Sequence, residues 1–148
     1  MRTRPIAAVV AIALTLAAAL PATAVHVRGS GRITAWGEGA IRVDGEGTFY
    51  ARGAGTLTIR DLDHDADIEI HGFRYSRKTV DGQRVYRGSG WVRVSAPDAV
   101  LKLEGEIESF WAHGSGTLRL NGHGRFRVRG RTHRWPAVGN VIHFELAG

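Results

Sequence analysis

The chain contains no cysteine, which excludes a disulfide framework and any cysteine-based metal or redox site. It also excludes a lipid anchor of the bacterial type, which needs a cysteine at the cleavage site. After the first two dozen residues no stretch sustains a helical period, so helices are not expected. Lysine is scarce: Lys78 and Lys102 are the only two, and every other basic residue is arginine. Such a bias more often reflects genomic base composition than a guanidinium-specific role. Catalytic signatures are missing as well. No histidine pair brackets a glutamate at the spacing zinc hydrolases use, and Gly114-Ser115-Gly116 is neither a nucleophile elbow nor a phosphate loop.

What is present begins with a leader. Arg2 and Arg4 precede an apolar run from Ile6 to Leu20, followed by Pro21-Ala22-Thr23-Ala24. A basic start, a short apolar core and a small-residue site predict a secretory signal peptide, residues 1–24, cleaved after Ala24. The run is shorter than the ~20 residues a spanning helix needs, and no other apolar run is longer, so the mature chain is expected to carry no transmembrane span. The mature product, 25–148, suits one domain of about 100–150 residues. Without Arg2 and Arg4, eighteen basic residues face fourteen acidic ones. A mildly basic exported protein is expected in the periplasm, the cell envelope or the medium, where anionic envelope polymers or glycans are its natural partners. Nucleic acid is excluded by compartment.

Four consecutive octads, GSGRITAW, GEGAIRVD, GEGTFYAR and GAGTLTIR, open at Gly29, Gly37, Gly45 and Gly53. Each is Gly-x-Gly followed by five residues with apolar side chains at the fifth and seventh places: Ile33/Ala35, Ile41/Val43, Phe49/Ala51 and Leu57/Ile59. Strict alternation bounded by glycine predicts half-buried strands. Because the octad is even, apolar residues keep one parity from Ile33 to Ile59. Three-residue hairpin loops such as Gly37-Glu38-Gly39 would preserve it, setting Ala35 opposite Ile41 and Ile33 opposite Val43. A parallel β-solenoid would preserve it too.

The pattern restarts at Gly88, where GSGWVRVS echoes GSGRITAW, and GSGTLRL at Gly114 echoes GAGTLTI at Gly53. Two tandem pseudo-repeats, 29–87 and 88–146, are expected. Ile107 and Phe110 differ in parity, which predicts a bulge within Glu104–His113. Asp81-Gly82 between Val80 and Val85 predicts a hairpin, and Ile142 and Phe144 in the tail can close the sheet. The predicted fold is therefore all-β: an antiparallel meander of about a dozen short strands, closing as a barrel or a two-sheet sandwich. Short strands carrying Arg42, Arg52 and Arg60 on the second face argue against a transmembrane barrel.

Two groups of residues invite a function. Asp61, Asp63, His64 and Asp65 form the densest run of metal-capable ligands, and hard cations want several oxygens. An EF-hand beginning at Asp61 would need glycine and glutamate where Ala66 and Gly72 stand, and aspartates that bend a loop explain the run equally well. The second group is Trp36, Tyr50, Trp91 and Trp111, which share the parity opposite the apolar series with Arg42, Arg52 and Arg93. Such a face can stack on sugars and hold anionic groups. The bland alternative is a second core, since four tryptophans in a small domain are expected to be mostly buried.

Leader, Gly-x-Gly octads, the segment Thr56-Leu57-Thr58-Ile59-Arg60-Asp61-Leu62 and the echo in the second half resemble small exported bacterial Gly-x-Gly-repeat β proteins of unassigned function. The resemblance implies no catalytic residue. The expectation is a non-enzymatic secreted or envelope β-domain with a structural or binding role and no cofactor. The alternatives are a glycan or small-ligand binding barrel using the aromatic and arginine face, and a metal-dependent hydrolase at Asp61–His71.

Overall fold

The octads do build strands, but the chain does not turn back where their glycines stand. The computed structural model describes residues 25–61, 64–136 and 141–148. The expected leader lies outside them, as do Leu62, Asp63 and residues 137–140. Six strands form one mixed sheet, with no helix among the described residues. They are β1 (Val25–Ser30), β2 (Ile33–Asp61), β3 (Asp67–Lys78), β4 (Arg84–Val128), β5 (Arg131–Arg134) and β6 (Ile142–Ala147). The path runs β1-β6-β4-β2, with β3 and β5 added on β4. No strand of the path returns to its start, so the sheet is open in strand order.

The expected dozen short strands are instead a few long ones: β2 has 29 residues and β4 has 45. The hairpin register fails with them. Ile41 lies opposite Leu103 and Leu120, not Ala35; Val43 lies opposite Leu101 and Leu118, not Ile33. These ladders are antiparallel, which excludes a parallel solenoid, and only β1 and β6 run parallel. An even octad keeps its parity through a straight strand as well as through a hairpin, so parity alone does not separate the two.

The register shows where the chain goes. Leu103 has Ile41 on one side and Leu57 on the other, both antiparallel to it. The segments around Ile41 and Leu57 therefore run in the same direction, with one strand between them. Neighbouring strands sit about 4.8 Å apart, and the chain from Ile41 to Leu57 never leaves strand geometry. It can come to lie beside itself only by completing a revolution in sixteen residues, which is two octads. Alternate octads consequently share a flank. Ala35 and Ala51 both flank Phe110, whereas Ile41 and Leu57 both flank Leu103.

The glycines are the creases between flanks. Gly122, Gly39, Gly105, Gly55 and Gly88 stand abreast across the sheet. A Cβ on Gly39 would lie 2.0 Å from the Asn121 carbonyl oxygen, and φ there is +137°, a region closed to other residues. Where the sheet folds sharply the inner side has no room for a side chain.

Between creases the inward residues make the core. Ile33, Val43, Phe49, Leu57, Val92, Val94, Phe110 and Leu118 are all fully buried. These inward side chains of the one described sheet pack together in a single core cluster, each large side chain contributing about 1.5–3 kcal/mol. β6 sits between β1 and β4 and adds Ile142, Phe144 and Leu146 to the core. The predicted bulge is present: partners shift from Ala35–Phe110 to Gly37–Ile107, and from Arg52–Ser109 to Gly53–Ile107. The predicted turn joins β3 to β4, closed by Thr79 N–H to Gln83 O at 2.8 Å and Gly82 N–H to Thr79 O at 3.1 Å. Strand length no longer speaks on membrane insertion; the described residues contain no helix long and apolar enough to cross one.

Candidate functional site: an aromatic outer flank

Because odd positions of β2 point inward, its even positions point out, and winding sorts them by octad. Tyr50 on β2 stands between Arg93 and Trp111 on β4; one step along, Arg52 stands opposite Trp91, which in turn faces His71 on β3. Their rings stack across the strands. Centroid separations are 4.4 Å for His71 and Trp91, 6.1 Å for Trp91 and Tyr50, and 5.6 Å for Tyr50 and Trp111. Interplanar angles of 12–26° keep these rings near parallel. Trp111 also stacks on His113 at 5.8 Å, and the Arg32 guanidinium lies 4.1 Å from its ring centroid. Each aromatic contact contributes about 0.5–1.5 kcal/mol beyond area burial, and the cation–π contact about 0.5–1 kcal/mol at a site this open.

These residues are not a second core. Tyr50, Trp91 and Trp111 are half-buried, Trp36 is 39% exposed, and Trp135 is the one buried tryptophan. Their rings lie near parallel across the strands and remain partly open to solvent. Arg93 is exposed, and Arg52 holds Glu108 through its Nε at 3.6 Å.

Arg42 belongs elsewhere. It lies one octad from Tyr50, half a revolution away, and stands on the opposite outer flank between Lys102 and Arg119. Trp36 shares the aromatic flank and faces Arg125. Shared parity put all seven residues on one surface of the sheet, but the creases divide that surface in two. His71 joins the aromatic row unannounced, because only the register of β3 on β4 places it there.

The acidic run is drawn into a turn. The Asp61 carboxylate accepts the Ala66 N–H at 2.9 Å, bridging the end of β2 to the approach of β3. His64 adopts positive φ (59°) and, like Asp65, is exposed. Asp63 lies outside the described residues. Among those described, no three histidine, aspartate or glutamate side chains converge on a point.

Compared with known protein families, curated proteins and solved structures, the chain matches none.

Proposed function

We propose that this chain is a non-enzymatic exported or envelope β-domain that holds extracellular material, and that it meets its partner across the flank bearing Trp91, Tyr50 and Trp111. The observation that carries this reading is the stacked outward row itself. Packing between the flanks does not require aromatics on the outer side, yet they line up across three strands. Tyr50, Trp91 and Trp111 line none of the best-formed clefts among the described residues, although Arg52 lines one with Gly90 and Glu108. A surface of half-buried rings and guanidinium groups suits an extended polar polymer better than an engulfed small molecule. Anionic envelope polymers and glycans are the partner class. Glycan stacking needs a free ring face, and Trp36, exposed and outside the stacked row, is the ring that offers one.

A duplicated two-layer architecture belongs to the same proposal. A shift of about sixty residues relates the octads of β2 to those of β4, and it carries the pair Ile41–Leu103 onto the pair Val43–Leu101. Two copies related in this way, creased at their glycines, make a flattened sandwich with one strand passing through both layers. A metal-dependent hydrolase at Asp61–His71 has the least support, since no three ligand side chains converge there among the described residues.

Tryptophan fluorescence is the direct test, because three of the four tryptophans lie on the outer side. Titration of the 25–148 chain with anionic glycans or envelope fractions should shift emission and saturate. Trp91→Ala and Trp111→Ala should weaken that binding about tenfold, the effect of losing a stacked contact or two. No response at millimolar ligand leaves a purely structural role.

A further inference from the structure

The strongest charge asymmetry lies beside the aromatic row rather than on it. No aspartate or glutamate occurs between Glu108 and Glu145, while that stretch holds Arg119, Arg125, Arg127, Arg129, Arg131 and Arg134. β4 and β5 gather the last five onto one hairpin, turned at Arg129 and Gly130, whose φ values are both positive (52° and 75°). Two such residues make the tight turn that suits strand twist.

The register then places Arg125 directly opposite Arg134. Like charges directly opposed on adjacent strands destabilise the pair. The ion pairs among the described residues are Arg28 with Glu145, Arg52 with Glu108 and Lys102 with Glu104. None relieves the hairpin, and residues 137–140, the nearest outside the described set, contain no acid.

Beside this pair is a cleft of about 450 Å³ lined by Gly122, His123, Gly124, Arg125, Arg134 and Trp135. Two crease glycines, Gly122 and Gly124, are part of its lining. Its wall is pinned: the Trp135 indole Nε1–H donates to the Arg125 carbonyl and its backbone N–H to the Gly124 carbonyl, both at 3.0 Å. Both hydrogen bonds hold the strand that carries Arg125 while its guanidinium stays exposed.

We propose that this cleft binds a tetrahedral oxyanion, a phosphate or sulfate group borne on a polymer, between the Arg125 and Arg134 guanidinium groups. Planar forks on two sides of one anion give paired charge-assisted hydrogen bonds, and the anion removes the repulsion that the register builds in. The site shares no residue with the aromatic row and stands independently of that reading.

The test uses the 25–148 chain in a low-salt buffer free of multivalent anions. Inorganic phosphate and sulfate, each compared with chloride at equal ionic strength, should raise the melting temperature by several degrees. A phosphate-bearing polymer and a sulfated polysaccharide then identify which source binds more tightly. Arg125→Gln and Arg134→Gln should weaken oxyanion binding about tenfold or more. In anion-free buffer they should melt no lower than the parent, because each removes one of two opposed charges. Arg119→Gln, on the other outer flank, should bind like the parent. Equal stabilisation by chloride would mean general screening and would overturn the proposal. So would oxyanion stabilisation that survives in both hairpin variants.

Discussion

On one outer flank the residues between the creases are Trp36, Tyr50, Arg52, Trp91, Arg93 and Trp111. On the other they are Arg42, Thr56, Thr58, Lys102, Glu104 and Arg119. The inner sides of the two flanks are alike: Phe49 and Phe110 under the first and Leu57 and Leu103 under the second are equally buried. Both flanks obey one octad rule, so the core does not explain why aromatics stand on one outer side and short polar or basic residues on the other. Positions released from packing are where a sequence is free to answer to something outside the molecule. The second flank carries Arg119, Arg42 and Lys102 abreast, but there Lys102 is paired with Glu104.

Removing a crease should erase the comparison altogether. Gly39→Val would drive a side chain into the Asn121 carbonyl and force a branched residue to positive φ. A loss of about 3 kcal/mol or more is expected from strain and overpacking together, measured by chemical denaturation, with both flanks lost in one transition. Survival of either flank alone would separate units that here share β2 and β4.

A gentler change should sharpen it. Tyr50→Ala and Trp111→Ala combined in a double-mutant cycle should return a coupling of about 0.5–1.5 kcal/mol. On the polar flank Thr58→Ala should cost within about 0.5 kcal/mol. Zero coupling in the aromatic pair would mean the stack is incidental to stability, which strengthens its case as a contact surface.

The smallest effect lies at the β3–β4 turn. The Thr79 hydroxyl hydrogen bond holds the Asp81 carboxyl below its ordinary value, against a small opposing effect of burial and with further help from the turn backbone and Arg60. A depressed folded value means the stabilisation is present at neutral pH and is lost as pH falls through that value. Asp81→Asn should therefore melt slightly below the parent at pH 7 and converge with it in acid. The group is fully exposed, so solvent screening keeps the difference small.

Much of the fold was legible, and the reason is parity. Alternation in the octads identified Ile33, Ile41, Phe49 and Leu57 as inward, the misfit of Ile107 and Phe110 located the bulge, and Asp81-Gly82 located the turn. The connection at Gly37-Glu38-Gly39 was not legible. A glycine pair at positive φ serves a hairpin loop or a crease, and the choice is made by partners such as Leu103 and Leu120, more than sixty residues away. Misreading the connection misplaced Arg42: under a hairpin it shares a surface with Tyr50, and under a revolution it does not. The acid-free run before Glu145 stood in plain view, but it meant nothing until Arg125 met Arg134 across a turn.

Winding also has a consequence in time. β2 contains no residue that pairs with another residue of β2; its partners lie in β4, and the nearest, Arg84, follows Ile59 only after all of β3. While β4 is still unmade, the first half of the chain is a row of alternating apolar residues with two bare edges and nothing to close them. Loop closure must precede any reward from these distant contacts, so folding waits for β4. A chain built this way stays threadable for most of its synthesis, the condition a polypeptide must meet to pass through a narrow translocation channel before it folds.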